Sequence, residues 1–170
     1  RWALKSPQHM WHLEHIHREY PDAIFVQTHR DPLNTVISMS NLAATLQDLS
    51  SDHSDLSRVA AHYAQGLAQG YNNTVAYRKS GKLPDSQVVD LYFKDFMTDQ
   101  VGTVRRAYSH FDLELSEQAA TAMQSFLDNN PADKFGKHLY QLADTGLDLD
   151  ELRALFKNYE SYFNIPRESH

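Results

Sequence analysis

The sequence has no cysteine, no long apolar run and few glycines. With no cysteine among 170 residues, a disulfide framework and thiol chemistry are excluded, and no redox compartment is specified. No apolar stretch approaches the roughly 18 residues that a membrane-spanning helix needs, so we predict no membrane span. The segment RWALKSPQH lacks the apolar core of a signal peptide, and we therefore predict a cytoplasmic protein.

Positive charge is also scarce. The chain has 16 Lys and Arg against 22 Asp and Glu, which gives a formal net charge of −6 and a pI of about 5.9. Such an acidic chain is a poor candidate for general nucleic-acid binding, so we predict no nucleic-acid partner. An apolar content of 41% is ordinary for a globular protein, and the length predicts a single domain over residues 1–170.

The periodicity of apolar residues alternates between strand and helix along the chain. A strand, a helix and a second strand in so short a span predict right-handed βαβ units and a parallel sheet, hence an α/β fold. Two glycines inside the longest helix, Gly66 and Gly70, predict close packing there. The expected strands lie at residues 2–4, 23–26 and 87–92, and the expected helices at residues 9–19, from 32, 56–79, from 98 or 99 to 111, 116–128 and 148–163.

The stretch DAIFVQTHRDPLNTVISMSN, residues 22–41, organises the rest. Asp31 suits the N-cap of a helix and Pro32 its first position, so a helix should begin directly after the predicted strand. Arg30 then stands at the carboxyl end of the strand, where open α/β sheets bind ligands. Ser38 follows about two turns into the helix, with Asn41 on the same face.

A helix N-terminus favours an anion, and a nearby arginine and hydroxyl favour one more strongly. The pattern therefore predicts a phosphate site at Arg30 and Ser38. The alternative is a capped turn with an exposed arginine.

This stretch resembles the 3′-phosphate-binding segment of sulfotransferases that use 3′-phosphoadenosine 5′-phosphosulfate (PAPS), and most of all their bacterial-type branch. In that family an arginine at the strand end and a serine on the next helix hold the 3′-phosphate, and Arg30 and Ser38 match them in type, order and spacing. The resemblance implies a three-layer α/β/α fold with a parallel sheet, related to P-loop NTPases. It extends through Lys5, Tyr92 and residues 134–140, and so covers nearly the whole chain.

The resemblance also implies roles for other residues. Lys5 matches the lysine that neutralises the sulfuryl group and the leaving phosphate, and His9 matches approximately the histidine that takes the acceptor proton. Histidine is a suitable base near neutral pH, although His9 could equally be an ordinary helix residue. Tyr92 matches the tyrosine that lies against the adenine; the alternative is a buried core tyrosine.

A basic loop precedes the last predicted helix. Lys134, Lys137 and His138 match the family's loop that closes on the 3′-phosphate, and they are candidates for a second phosphate clamp. A solvated basic loop is the alternative.

Four histidines crowd the first predicted helix: His9, His12, His15 and His17, with Glu14 among them. The first three spread over more than half a turn and cannot converge on one ion. His12 with His15, or Glu14 with His17, could supply two ligands, but no second ligand set is evident. We predict that this helix binds no metal.

The six glycines nowhere form a phosphate loop of the type G-x-x-x-x-G-K-[ST]. The family's phosphosulfate loop and its strand would lie upstream of Arg1, so the chain resembles the C-terminal two-thirds of a sulfotransferase domain. A third hypothesis is a nucleotide kinase-like P-loop enzyme, which the Arg30–Ser38 spacing disfavours.

The implied function is transfer of a sulfuryl group from PAPS, as co-substrate and without a metal, to a hydroxyl or amine of a small-molecule or carbohydrate acceptor. The acceptor itself cannot be predicted, because its pocket is built from variable loops. The alternative function is a non-catalytic nucleotide-binding or interaction module derived from the same fold.

Overall fold

The structure, a computed structural model, describes residues 2–131 and 141–168, which form two compact units. The first comprises the described residues of Arg1–Pro21, Arg30–Leu83 and Tyr140–His170, and the second those of Asp22–His29 and Pro84–Leu139. None of the described helices is long and apolar enough to cross a bilayer. The elements are α1 (Leu13–Glu19), β1 (Phe25–His29), α2 (Pro32–Gln47), α3 (Leu56–Lys79), β2 (Val88–Tyr92), α4 (Phe93–Thr98), α5 (Gln100–His110), α6 (Glu117–Asn129), α7 (Leu142–Thr145) and α8 (Leu149–Phe163), with 3₁₀ helices at Pro7–Trp11 and Asp85–Gln87.

The second unit contains a parallel strand pair. β1 and β2 pair in register from Phe25 with Val88 to His29 with Tyr92, which confirms the predicted parallel sheet. β1 begins two residues later than the apolar run indicated. The carbonyl of Ala23 accepts a hydrogen bond from the side-chain amide of Gln87 at 3.1 Å, so a side chain takes up this carbonyl just before the strand starts.

Side-chain caps fix the helix starts that the sequence predicted. In the second unit the Asp99 carboxylate accepts from the backbone N–H of Gly102 at 2.8 Å, and the Ser116 hydroxyl accepts from that of Ala119 at 3.2 Å. Such caps satisfy backbone donors that the first helical turn leaves without partners. The short helix α4 was not predicted, because its six residues are too few to show a helical period.

The first unit is built around α3, whose bounds match the prediction. Its core joins α2, α3 and α8 through the buried residues Leu33, Val36, Ala64, Leu67, Ala68, Leu152 and Phe156. Tyr71 of α3 stacks on Tyr159 of α8, with ring centroids 4.0 Å apart. Aromatic stacking adds to the burial of apolar area, so α8 is firmly packed on α3.

The start of the chain differs from the prediction. Residues 2–4 form no strand, because no ladder partner lies beside them among the described residues. The expected helix over residues 9–19 is divided into a 3₁₀ helix and α1, with the break at His12. The Met10 carbonyl accepts a hydrogen bond from the Thr74 hydroxyl of α3 at 3.0 Å, and this tertiary contact replaces continuation of the helix.

The two glycines of α3 occupy different environments. A Cβ added to Gly70 would meet Trp11 at 2.8 Å and Met10 at 3.0 Å, whereas at Gly66 nothing lies within 4 Å. The prediction of close packing is therefore confirmed at Gly70 and wrong at Gly66.

We expect opposite effects on stability when each glycine is replaced by alanine. Gly66→Ala should raise the free energy of unfolding by about 0.5–1 kcal/mol, because it removes a helix-interior glycine without a clash. Gly70→Ala should lower it by about 1–2 kcal/mol, because overpacking against the Trp11 ring outweighs the gain in propensity. Urea unfolding of the two variants in parallel measures the difference; changes of the same sign would contradict the assigned packing.

Candidate anion-binding site

Asp31 is fully buried and anchors the start of α2. Its carboxylate accepts a hydrogen bond from the backbone N–H of Leu33 at 3.0 Å, as predicted for an N-cap. It also accepts two from the Arg153 guanidinium, both at 2.9 Å, and one from the backbone N–H of Glu168 at 2.9 Å. The carboxylate thus ties the first turn of α2 to α8 and to the segment that follows α8.

These contacts determine the charge state of Asp31. Burial alone would raise the pKa of its carboxyl, but the hydrogen bonds from Arg153, Glu168 and Leu33 outweigh burial and hold the pKa below its ordinary value. The pKa of Arg153 is raised: burial opposes its charge, and hydrogen bonds to Asp31 and Glu160 more than compensate. The pair is therefore ionised in the folded protein.

Arg30, immediately before this cap, forms a bidentate ion pair with the carboxylate of Glu168. Its Nε lies 3.1 Å from Oε1 of Glu168 and its Nη2 lies 3.0 Å from Oε2. The Asn34 side-chain amide donates to Oε2 at 2.7 Å, and the backbone N–H of Asp31 approaches Oε1 at 3.4 Å. Four donors from the start of α2 therefore converge on one anionic group, at the end of the helix whose dipole favours negative charge.

The two arginine–carboxylate pairs differ in burial. The side chains of Arg153 and Asp31 are 14% and 0% exposed, whereas those of Arg30 and Glu168 are 41% and 31% exposed. Solvent-exposed pairs contribute only about 0–1 kcal/mol to stability. The donors around Glu168 thus form an accessible anion position, and the Asp31–Arg153 pair forms its buried support.

Ser38 is exposed on α2, one turn beyond Asn34 on the same helix face. The side-chain amide of Asn41 donates to the Ile37 carbonyl at 2.8 Å, so this amide N–H is directed at its own helix. The structure therefore places Asn34 and Ser38 in the first two turns of α2, and Arg30 directly before its N-cap.

Lys5 and His9 lie before α1, also in the first unit. Lys5 is exposed, and His9 is half-buried within the 3₁₀ helix. The Ser6 hydroxyl caps that helix by accepting from the backbone N–H of Gln8 at 3.2 Å. The helix thus fixes the backbone around His9, and the catalytic roles of Lys5 and His9 stay predictions.

Tyr92 ends β2 in the second unit. Its ring centroid lies 5.3 Å from that of His29, and Nε2 of His29 lies 2.9 Å from a carboxylate oxygen of Asp90. The ring is half-buried, so the structure leaves its adenine contact as a prediction. The other predicted phosphate ligands, Lys134, Lys137 and His138, lie outside the described residues.

The histidines near α1 have separate environments. The rings of His12 and His15 meet edge to face, 6.0 Å apart, and Nδ1 of His17 lies 2.8 Å from the Tyr77 hydroxyl. Within residues 2–131 and 141–168, no three His, Asp or Glu side chains are grouped as a metal site would need. Absence of a bound metal stays a prediction.

Three residues of the site were not predicted from the sequence: Asn34, Arg153 and Glu168. Asn34 carries a usable signal, since it lies four residues before Ser38 on the same helical face. Arg153 and Glu168 are 122 and 137 positions from Asp31, and no local pattern indicates that they meet it.

Comparison with known proteins identifies the family of the chain. The model of the sulfotransferase family matches residues 1–117, and the chain belongs to that family. A search of curated proteins found no match.

Among solved structures, the chain is similar to the sulfotransferase STF9 from Mycobacterium avium, with 26% sequence identity and a TM-score of 0.86, covering 99% of this chain and 43% of that one. It is also similar to the sulfotransferase STF1 from Mycobacterium tuberculosis H37Rv, with 29% identity and a TM-score of 0.70, covering 95% of this chain and 40% of that one. These likenesses confirm the predicted family and its α/β fold, and the chain spans less than half the length of either neighbour.

Proposed function

We propose that the chain forms the nucleotide end of a sulfotransferase site, which moves a sulfuryl group from PAPS to a hydroxyl or amine of a small-molecule or carbohydrate acceptor. One observation carries the proposal: the donors of Arg30, Asn34 and Asp31 converge on an anion at the start of α2. In a member of the sulfotransferase family, this anion position is suited to the 3′-phosphate.

The same helix supports a second contact to that phosphate. Ser38 is exposed one turn beyond Asn34, so its hydroxyl is available to a phosphate oxygen that the Arg30 fork already holds. An arginine fork with a neighbouring hydroxyl recognises phosphate by charge and by geometry. In this proposal Tyr92 lies against the adenine, and Lys134, Lys137 and His138 close over the 3′-phosphate.

Catalysis in this scheme is chiefly positioning and electrostatics. The acceptor oxygen or nitrogen attacks sulfur in line with the bridging phosphate oxygen, which leaves with the electron pair as adenosine 3′,5′-bisphosphate (PAP) forms. Lys5 offsets the developing negative charge, and His9 takes the proton from the acceptor. No metal is required by this scheme.

Nucleotide binding by the 170-residue chain is the first test. A ligand that binds only the folded state stabilises it, by about 2.7 kcal/mol at 100 times its dissociation constant. We expect PAP to raise the urea midpoint in this way, and adenosine 5′-monophosphate (AMP), which lacks the 3′-phosphate, to have a much smaller effect at equal concentration. Equal stabilisation by both nucleotides would contradict a 3′-phosphate site.

Transfer is tested with PAPS that carries a radiolabelled sulfuryl group and a panel of hydroxyl and amine acceptors. We expect binding without transfer from the 170 residues, since their sequence contains no glycine-rich loop to fix the phosphosulfate group. A longer chain with such a loop should transfer the label. In that longer chain, Lys5→Ala should lower turnover more than the control Lys157→Ala, at an exposed lysine of α8. Robust turnover by the 170 residues would show that the phosphosulfate site lies within them.

A further inference from the structure

The anion position of α2 is filled by the chain's own carboxylate. Glu168 places Oε1 against Arg30 Nε and the Asp31 N–H, and Oε2 against Arg30 Nη2 and the Asn34 amide. We propose that Glu168 is an internal competitor for this position, and that a ligand phosphate binds there by displacing the Glu168 side chain. The inference rests on the proposed function and deepens it.

The donor set fits a phosphate as well as a carboxylate. Both groups present two oxygens to a planar guanidinium fork, and a phosphate offers a third oxygen and a larger negative charge. Asn34, whose amide lies 2.7 Å from the Glu168 carboxylate, would then donate to a phosphate oxygen. The structure thus assigns Asn34 as a further phosphate-binding residue beside Arg30 and Ser38.

Displacement needs only a side-chain movement. The backbone N–H of Glu168 donates to the buried Asp31 carboxylate, and the neighbouring Ile165 is buried, so the backbone of this segment is anchored. The Glu168 side chain and its arginine partner are both partly exposed, and solvent can replace their contact at little cost. A change of rotamer therefore vacates the position while the segment stays in place.

The competitor also sets specificity. After displacement the Glu168 carboxylate remains anchored close to the ligand and repels its charge, so only a group that gains several charge-assisted contacts binds well. A phosphate monoester dianion meets this condition better than inorganic sulfate does. The charge of sulfate is spread over four equivalent oxygens, and sulfate lacks the contacts that the rest of the nucleotide makes. The smaller the population of the state in which Glu168 has left the position, the lower the apparent affinity for the phosphate ligand.

Glu168→Gln tests the proposal, because glutamine keeps the size and the backbone contact while removing the negative charge. We expect the affinity for PAP, measured by calorimetry, to rise about tenfold, the value for a vacated state populated to roughly 10%. Weak binding of inorganic phosphate should also become measurable in this variant. The matched control is Glu114→Gln at an exposed glutamate of the second unit, which should leave both affinities unchanged.

Three results separate this inference from the proposed function. Unchanged or weaker binding of PAP and no gain of phosphate binding by Glu168→Gln would overturn the competitor role, and would make Glu168 a support for Arg30. Tighter PAP binding supports both proposals. A gain of phosphate binding without PAP binding in either protein supports displacement and overturns the nucleotide assignment; a shift of the Arg30 Nε NMR signal on adding phosphate would locate that binding.

Discussion

Replacing Arg30 by alanine should weaken PAP binding by about 2–4 kcal/mol, the scale for losing charge-assisted hydrogen bonds to an anion. This is a loss in affinity of roughly 30- to 1,000-fold. PAP binding to the wild-type protein already separates Glu168 from Arg30, so the loss reflects the missing contacts between the Arg30 fork and the phosphate. Calorimetric titration of both proteins with PAP measures it.

The same substitution should barely change the affinity for AMP, which has no 3′-phosphate. Arg58→Ala is the matched control, since Arg58 is an exposed arginine of α3 in the same unit and should leave both ligands unaffected. Equal losses of affinity for PAP and AMP in Arg30→Ala would show that Arg30 does not bind the 3′-phosphate.

The largest effect on stability is expected at Arg153. Arg153→Met should lower the free energy of unfolding by about 3–5 kcal/mol at neutral pH, because it leaves the buried Asp31 carboxylate without its bidentate partner. Arg105→Met is the control. Its ion pair with Glu117 is 48% and 82% exposed, and its loss should cost less than about 1 kcal/mol.

The Arg153 effect should depend on pH in a defined direction. The pKa of Asp31 is lowered in the folded protein, so its stabilising contribution is present above the unfolded-state value of roughly 3.9 and is lost as pH falls through the folded-state pKa. The stability gap between wild type and Arg153→Met should therefore narrow below about pH 4. A gap that stays constant down to pH 2 in urea titrations would show that lost packing, rather than the buried charge of Asp31, causes the destabilisation.

Local chemistry in the sequence predicted much of the framework. The Asp31 cap and Pro32 located the start of α2 to the residue, and the long apolar period located α3 at Leu56–Lys79. Caps and periodicity are short-range interactions, and these elements keep the same local contacts after folding.

The features of the fold and of the site that the sequence did not predict depend on tertiary contacts. A hydroxyl on α3 interrupts the first predicted helix by bonding the Met10 carbonyl, and no nearby residue signals this. Arg30 was predicted as an anion ligand, but its partner Glu168 lies 138 positions away. From the sequence alone the site has an arginine and a serine; its buried support and its internal carboxylate appear only when α8 packs on α3.

The span between Asp31 and its partners also sets an order of events during synthesis. Arg30 and α2 leave the ribosome before α8 does, and the carboxylate cap beside them is completed only by Arg153 and the Glu168 backbone. At about 5–20 residues per second, the intervening segment takes on the order of ten seconds to translate. A nascent chain therefore carries a half-formed anion site for that time, and the site is completed only when α8 docks.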